Sequence, residues 1–480
     1  MMLSALFFAV ATLSFDKFGY VSSSQLMFHL LVPKNQINAD SFIHELKLFL
    51  LLAFCSAIVA VMLFFLLFRS LKRWKISFFH NTVLALYCAA GLSLTISLFY
   101  FNDYLPLKSL LYFLDWKSDM IDKNFHDLPV EKVSFKEKRN CILLIAESLE
   151  STFAVPEAAG KNFIPRLDDL QKNNIFFDRR VQCNGTGWTI ASLINIFYGI
   201  PQLPLYNGNE ENGNNRRSFR LPSIYNYFLA AGYQCGYMQG GDIAFSGKNQ
   251  LFINLPEVKV TGYTQLSQDP AYRAASKHFE WGVDDQILFA NLQRECTRLA
   301  NDERPFFLAV LTLDTHFPNG FLRDASKVGE NEYFAEVLRL TDNRICDFVN
   351  WVKKQKFAEN TTVIIVGDHL AMDNDMIKKL NAFNGSDQIA GKRKTYNCFI
   401  NPARMPVKSD DRIFTAFDLM PTILHAAGAE WGSDRLHCGV SLFGNTPTLM
   451  EKYGIGYYEK ESLKKSDKYI SILTTNSGRR

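Results

Sequence analysis

The stretch CILLIAESLEST, residues 141–152, changes character at a single point: an unbroken apolar run ends at Ala146 and Glu147 follows directly. A short apolar run bounded by polar residues suits a strand buried on both faces. The pattern recurs in QCGYMQ (234–239), FFLAVLTL (306–313), TTVIIVG (361–367) and YNCFI (396–400). Between these runs lie segments of helical period, such as DDQILFANLQRECTRLA (284–300) and YFAEVLRLTDNRICDFVNWVKKQ (333–355). Strands alternating with helices predict an α/β domain whose central sheet is mostly parallel and covered by helices on both faces.

In an open sheet of this kind ligands bind beyond the carboxyl ends of the strands. Glu147 follows the first run, Asp314-Thr315-His316 follows FFLAVLTL, and Asp368-His369 follows TTVIIVG. One acid or histidine at a strand end is usually a cap or a satisfied loop residue. Recurrence at three strand ends favours a shared site, because carboxylates and imidazoles are costly to desolvate unless they bind something. A divalent metal ion takes these donors.

The polar knot Asn184-Gly185-Thr186-Gly187 precedes a run of helical period in QCNGTGWTIASLINIFYGIP, residues 182–201. Thr186 or Thr189 can cap that helix. Beside a metal, a threonine hydroxyl there can instead serve as a nucleophile, with the glycines admitting close approach and the helix amides facing an anion. Such a nucleophile suits attack on a phosphoryl or sulfuryl group.

Residues 48–68 and 83–101 are uncharged and apolar, close to the length that a helix needs to cross a bilayer. Residues 1–15 read as a shortened first span, so residues 1–102 are expected to form a transmembrane region. The link RSLKRWK, with Arg69, Lys72, Arg73 and Lys75 and no acid, is placed in the cytoplasm by the positive-inside rule. Everything after about residue 102 is then delivered outside. Residues 103–139 form a connector with an amphipathic piece suited to a membrane surface, and 449–480 end in a polar, basic tail. A net charge of +4 over 480 residues gives no reason to expect a nucleic-acid partner. The cysteines outside the spans show no metal spacing and are expected to be mostly buried small hydrophobes.

Taken in order, LLIAESLE (143–150), GTGWTIASLINIFYGIP (185–201), GYQCGYMQGGDIAFSGKNQLF (232–252), DPAYRAASKHFEWGVDDQIL (269–288), LTLDTHFPNGF (311–321) and VIIVGDHLAMDN (363–374) resemble the sulfatase and alkaline-phosphatase-like superfamily. The likeness is to its membrane-anchored phosphoglycerol transferases, and more distantly to lipoteichoic acid synthase and the phosphoethanolamine transferases. FTAFDLMPTILHAAGAE (414–430) is similar to the sulfatase-type D-x-x-P-T helix. The resemblance implies an alkaline-phosphatase-like catalytic domain over residues 140–448. It implies one divalent ion, manganese, magnesium or zinc, held by Glu147, Thr186, Asp368 and His369. Thr186 is then the nucleophile, from a family pattern in which a second hydroxyl residue follows by three, and Thr189 is the alternative. His316 matches a substrate histidine that protonates the leaving alkoxide or contacts the phosphate. Lys248 stands where a relative has an arginine that grips glycerophosphate, and Ser246 where it has a tryptophan.

The activity so implied is transfer of phosphoglycerol from phosphatidylglycerol to a periplasmic or surface glycan through a phosphothreonine-type intermediate. The location implied is a bacterial inner membrane, multi-pass, with the catalytic domain in the periplasm or outside. A phosphoethanolamine transferase acting on lipid A or a surface glycan uses the same core and is the nearest alternative. A non-catalytic membrane sensor predicts broken ligands, which this chain does not have.

Overall fold

The computed structural model describes residues 116–203, 219–326, 328–329, 332–372, 375–384, 392–408 and 411–473, with Gln25, Gly91 and Thr95 besides. The chain divides into two units after Leu110, and the fold from residue 116 onward belongs to the second. The expected spans at 1–15, 48–68 and 83–101 lie outside the described residues, apart from Gly91 and Thr95. Among the described residues no helix is long and apolar enough to cross a membrane.

The core is a six-stranded sheet. Its strands, in chain order, are β1 Asn140–Ala146, β2 Gln234–Gln239, β3 Val258–Thr261, β4 Phe306–Leu311, β5 Thr361–Gly367 and β6 Asn397–Ile400. They lie side by side in the order β3-β2-β4-β1-β5-β6. All neighbours run parallel except β5 and β6, which pair antiparallel at one edge. The expected apolar runs all supply strands. The other edge strand, VKVT at β3, is half-buried and mixed in polarity, which is why an apolar-run criterion passes over it.

Register fixes where the strands end. Ile145 lies opposite Leu311 on one side and Val366 on the other. Glu147, Thr312 and Asp368 therefore leave the sheet at one level, joined by the Glu147 N–H donating to Thr312 Oγ1 at 2.9 Å and the Asp368 N–H donating to the Ala146 carbonyl at 3.1 Å.

Helices cover both faces. Ile142, Leu144, Phe306, Leu308, Val310 and Val363 bury one face against α4 (Asp285–Ala300) and α5 (Tyr333–Lys353). Preceding these in the chain are α1 (Pro165–Lys172), α2 (Thr189–Tyr198) and α3 (Ile224–Ala230). On the other face Phe307 stacks on Phe228 of α3 with centroids 4.2 Å apart, and Phe197 of α2 meets Tyr237 of β2 edge-on at 5.9 Å. Helix α6 (Leu419–Ala426) also packs against α2. These alternate inward residues are the physical reason that the runs read as continuously apolar.

Residues 449–473 are not a loose tail. They form α7 (Leu449–Tyr453), α8 (Ile455–Glu461) and α9 (Asp467–Leu473), with Met450, Tyr458, Tyr469 and Ile472 buried. Their polar composition hides short helices that bury only some of their apolar residues, while Tyr457 stays exposed. The cysteines of the described residues, Cys141, Cys183, Cys235, Cys296, Cys346, Cys398 and Cys438, are free and buried.

Candidate active site and metal centre

Glu147, directly after β1, is buried, and its Oε1 accepts the Ser148 hydroxyl at 2.8 Å. Ser148 adopts φ 52, a left-handed conformation that costs free energy for a non-glycine residue. That turn lets its N–H donate to Asp368 Oδ1 at 2.8 Å, which also accepts the His369 N–H at 2.8 Å. The His369 ring nitrogen Nδ1 lies 2.9 Å from the Leu370 carbonyl, which assigns the proton to Nδ1 and leaves Nε2 facing the acids. His369 Nε2 is 3.4 Å from Glu147 Oε1 and 3.3 Å from Asp368 Oδ2.

The expected ligands Glu147, Asp368 and His369 thus meet, their ligand atoms all within 4.8 Å of one another. The hydroxyl of the fourth, Thr186, bonds within its own loop. It is 2.8 Å from both the Cys183 N–H, which donates to it, and the Cys183 carbonyl, which it bonds in return. Thr186 closes a turn in the loop. The hydroxyl that does reach the cluster is Thr189, the first residue of α2, 3.3 Å from Glu147 Oε2 and 3.3 Å from His369 Nε2. Neither threonine stands at the cap position: Trp188 does, and it makes no side-chain cap hydrogen bond.

Burial pushes the Glu147 carboxyl up, but the charge and hydrogen bond of His369, helped by His316 and Ser148, outweigh it and hold the group down at about 2. Burial and the neighbouring Glu147 charge push Asp368 up to about 7. Burial works to lower His369, yet the charges of Asp368 and Glu147 raise it to about 9. Lys248 and His316 lie within the field of the same acid. Burial lowers Lys248 to about 8 against the opposing pull of Glu147 and Asp242. Burial likewise lowers His316, again opposed by Glu147. The His316 ring rests on Trp281 at 4.5 Å between centroids. Lys248 follows a kink at Ser246 (φ 56) and Gly247 (φ 72), and its Nζ sits 5.1 Å from the Phe245 ring centroid.

Residues 139–429 match the sulfatase family model. The chain belongs to the sulfatase family. Its curated relatives include Phosphoglycerol transferase I of Xanthomonas campestris pv. campestris (strain B100), 29% identical over 327 residues, which are 66% of this chain and 44% of that protein. Phosphoglycerol transferase I of Salmonella choleraesuis (strain SC-B67) is 26% identical over 253 residues, 51% of this chain and 32% of that protein. The chain spans less than half the length of these relatives. Among solved structures, a protein of the alkaline phosphatase superfamily from Vibrio parahaemolyticus matches with a TM-score of 0.50 at 18% identity, covering 68% of this chain and 76% of that one. That is a likeness of fold.

The donor set of this sulfatase-family domain fits a divalent ion. Two carboxylates and an imidazole converge, and Asp368 Oδ2 is buried with no hydrogen-bond partner among the described residues. An orphaned buried acceptor is costly unless a cation meets it. Two further residues brace the domain's site and were not anticipated from sequence. Arg180, buried, donates to the carbonyls of Gly367 and Asp368, the latter at 2.6 Å. Ser192, one turn into α2, donates to the Asp368 carbonyl at 2.6 Å. Ser192 follows Thr189 by three residues, so the hydroxyl spacing that pointed to Thr186 is met equally by Thr189. Asp314, by contrast, is turned away into a bond with the Asp285 N–H at 2.9 Å and an ion pair with Arg344 at 2.5 Å.

Proposed function

We propose that the protein is a metal-dependent phosphotransferase that moves phosphoglycerol from phosphatidylglycerol to a periplasmic or surface glycan, with Thr189 as the nucleophile. The observation that carries this reading is the Thr189 hydroxyl, 3.3 Å from both Glu147 and His369 at the start of an uncapped helix. The names of the curated relatives support the phosphoglycerol donor. The apolar segments at 48–68 and 83–101 support an inner-membrane protein whose catalytic domain faces the periplasm or outside.

Glu147, Asp368 and His369 would hold the ion, of manganese, magnesium or zinc type. When bound, it supplies positive charge for the phosphoryl oxygens and for the attacking hydroxyl. Thr189 Oγ1 gives up its proton to solvent and attacks phosphorus, the bond to the diacylglycerol oxygen breaks, and His316, in its protonated form, gives that oxygen a proton. The first amides of α2 face the developing phosphoryl charge. Lys248 binds the anionic headgroup as a point charge, without the forked geometry of an arginine. A hydroxyl of the glycan then displaces phosphoglycerol from Thr189, its proton passing to His316 while the Thr189 oxygen takes one from solvent.

Mass spectrometry of the full chain after incubation with phosphatidylglycerol, and separately with phosphatidylethanolamine, tests this. We expect an adduct on Thr189 from phosphatidylglycerol, lost in Thr189→Ala and retained in Thr186→Ala. An adduct still formed in Thr189→Ala would overturn the nucleophile assignment, and one formed only from phosphatidylethanolamine would overturn the donor.

A further inference from the structure

The loop before Thr189 is held by a part of the chain that lies beyond the family match. The Asn184 N–H donates to Glu459 Oε1 at 2.7 Å, its carbonyl accepts the Tyr458 hydroxyl at 2.8 Å, and its side-chain amide donates to Ser462 Oγ at 3.0 Å. Backbone and side chain of one residue therefore all end on α8 and the residue after it. Gly185 is fixed next. It takes φ +85, a Cβ there would lie 3.0 Å from the Gln202 backbone, and its carbonyl accepts the Gln202 N–H at 2.9 Å and the Asn195 amide at 3.1 Å.

Helix α8 is tied in turn to the connector. The Ser118 hydroxyl donates to Glu461 Oε2 at 2.7 Å, the Ser118 N–H donates to the Lys465 carbonyl at 2.8 Å, and Asp122 accepts the Ser466 hydroxyl at 2.8 Å. The other end of α2 meets the same connector through His437. Its Nδ1 lies 2.7 Å from the Tyr198 carbonyl, its ring stacks on Phe125 at 5.4 Å, and its backbone pairs with His126. Both ends of the nucleophile helix are thus gripped by residues outside 139–429.

We propose that Tyr458 and Glu459 are positioning residues for Thr189. The N-cap residue Trp188 makes no side-chain cap bond, so the anchor on Asn184, five residues earlier in the chain, fixes the start of the helix together with the Ser192 bond to the Asp368 carbonyl. Fixing that start keeps the Thr189 hydroxyl at the cluster. The proposal rests on Thr189 being the nucleophile.

The test uses the full chain in detergent with Mn2+ and the diester bis(p-nitrophenyl) phosphate as probe. Glu459→Ala should lower kcat by on the order of tenfold to a hundredfold, with KM and bound Mn2+ unchanged. Tyr458→Phe should move kcat in the same direction. Glu459→Gln, which keeps an acceptor oxygen, should restore wild-type kcat. Hydrogen exchange over residues 183–189 should speed up in Glu459→Ala while the central strands stay protected. Wild-type kcat in Glu459→Ala, or an equal loss in Glu459→Gln, would overturn the proposal. If wild type and Thr189→Ala treat the probe alike, the nucleophile assignment fails. The positioning claim is then judged by exchange, and unchanged exchange over 183–189 in Glu459→Ala overturns it.

Discussion

Metal binding at this site should depend steeply on pH, and the structure gives both sign and size. His369 is held up at about 9 and Asp368 at about 7, whereas Glu147, at about 2, is ionised at any working pH. A divalent ion requires its ligands deprotonated, so each bound proton competes with it. At pH 6 the His369 imidazolium weakens binding by about three decades and the Asp368 carboxyl by about one more. At pH 8 the imidazolium costs about one decade and the carboxyl almost nothing. Apparent Mn2+ affinity should therefore rise roughly a thousandfold from pH 6 to pH 8, about 4 kcal/mol. Titration calorimetry of the full chain with MnCl2, repeated in buffers of different ionisation enthalpy, measures both affinity and proton release. Release should be about two protons per ion at pH 6 and about one at pH 8. An affinity that changes less than about tenfold, or binding without proton release at pH 6, would refute the placement of the ion among these three residues.

Lys248→Met removes the buried ammonium near Glu147 while keeping most of the volume. KM for an anionic phospholipid should rise by on the order of tenfold, read from initial rates with the lipid in mixed micelles, and bound metal should be unchanged. Phe307→Ala removes a ring packed on Phe228 and Tyr225. It should destabilise the domain by about 3–5 kcal/mol, read as a lowered urea midpoint by tryptophan fluorescence.

The sheet is legible in the sequence because buried parallel strands need continuous apolar runs, and those runs end where Glu147 and Asp368 begin. β3 is not legible, since an edge strand can alternate polar and apolar residues. Within the site, spacing could not separate the threonines: Thr186, Thr189 and Ser192 recur at intervals of three. What sets them apart in the structure is where the helix starts. Because α2 begins at Thr189, that hydroxyl sits at the helix end facing the acids, while Thr186 falls in the turn and bonds Cys183. Arg180 leaves no pattern to read, as its acceptors are backbone carbonyls and any residue can offer those. The bracing by α8 is hidden for a similar reason, since part of the hold on Asn184 goes through its own main chain.

The buried thiols carry a practical consequence. Cys183 adjoins Asn184 and Cys438 adjoins His437, both buried and both with thiols pushed up, in each case chiefly by burial. A thiol held protonated and out of solvent does not react, so alkylating reagents modify these positions only when the surrounding backbone opens. The chain therefore carries its own reporters at either end of α2. The rate at which Cys183 and Cys438 take up a reagent measures how often that helix comes loose from its anchors, without any introduced label.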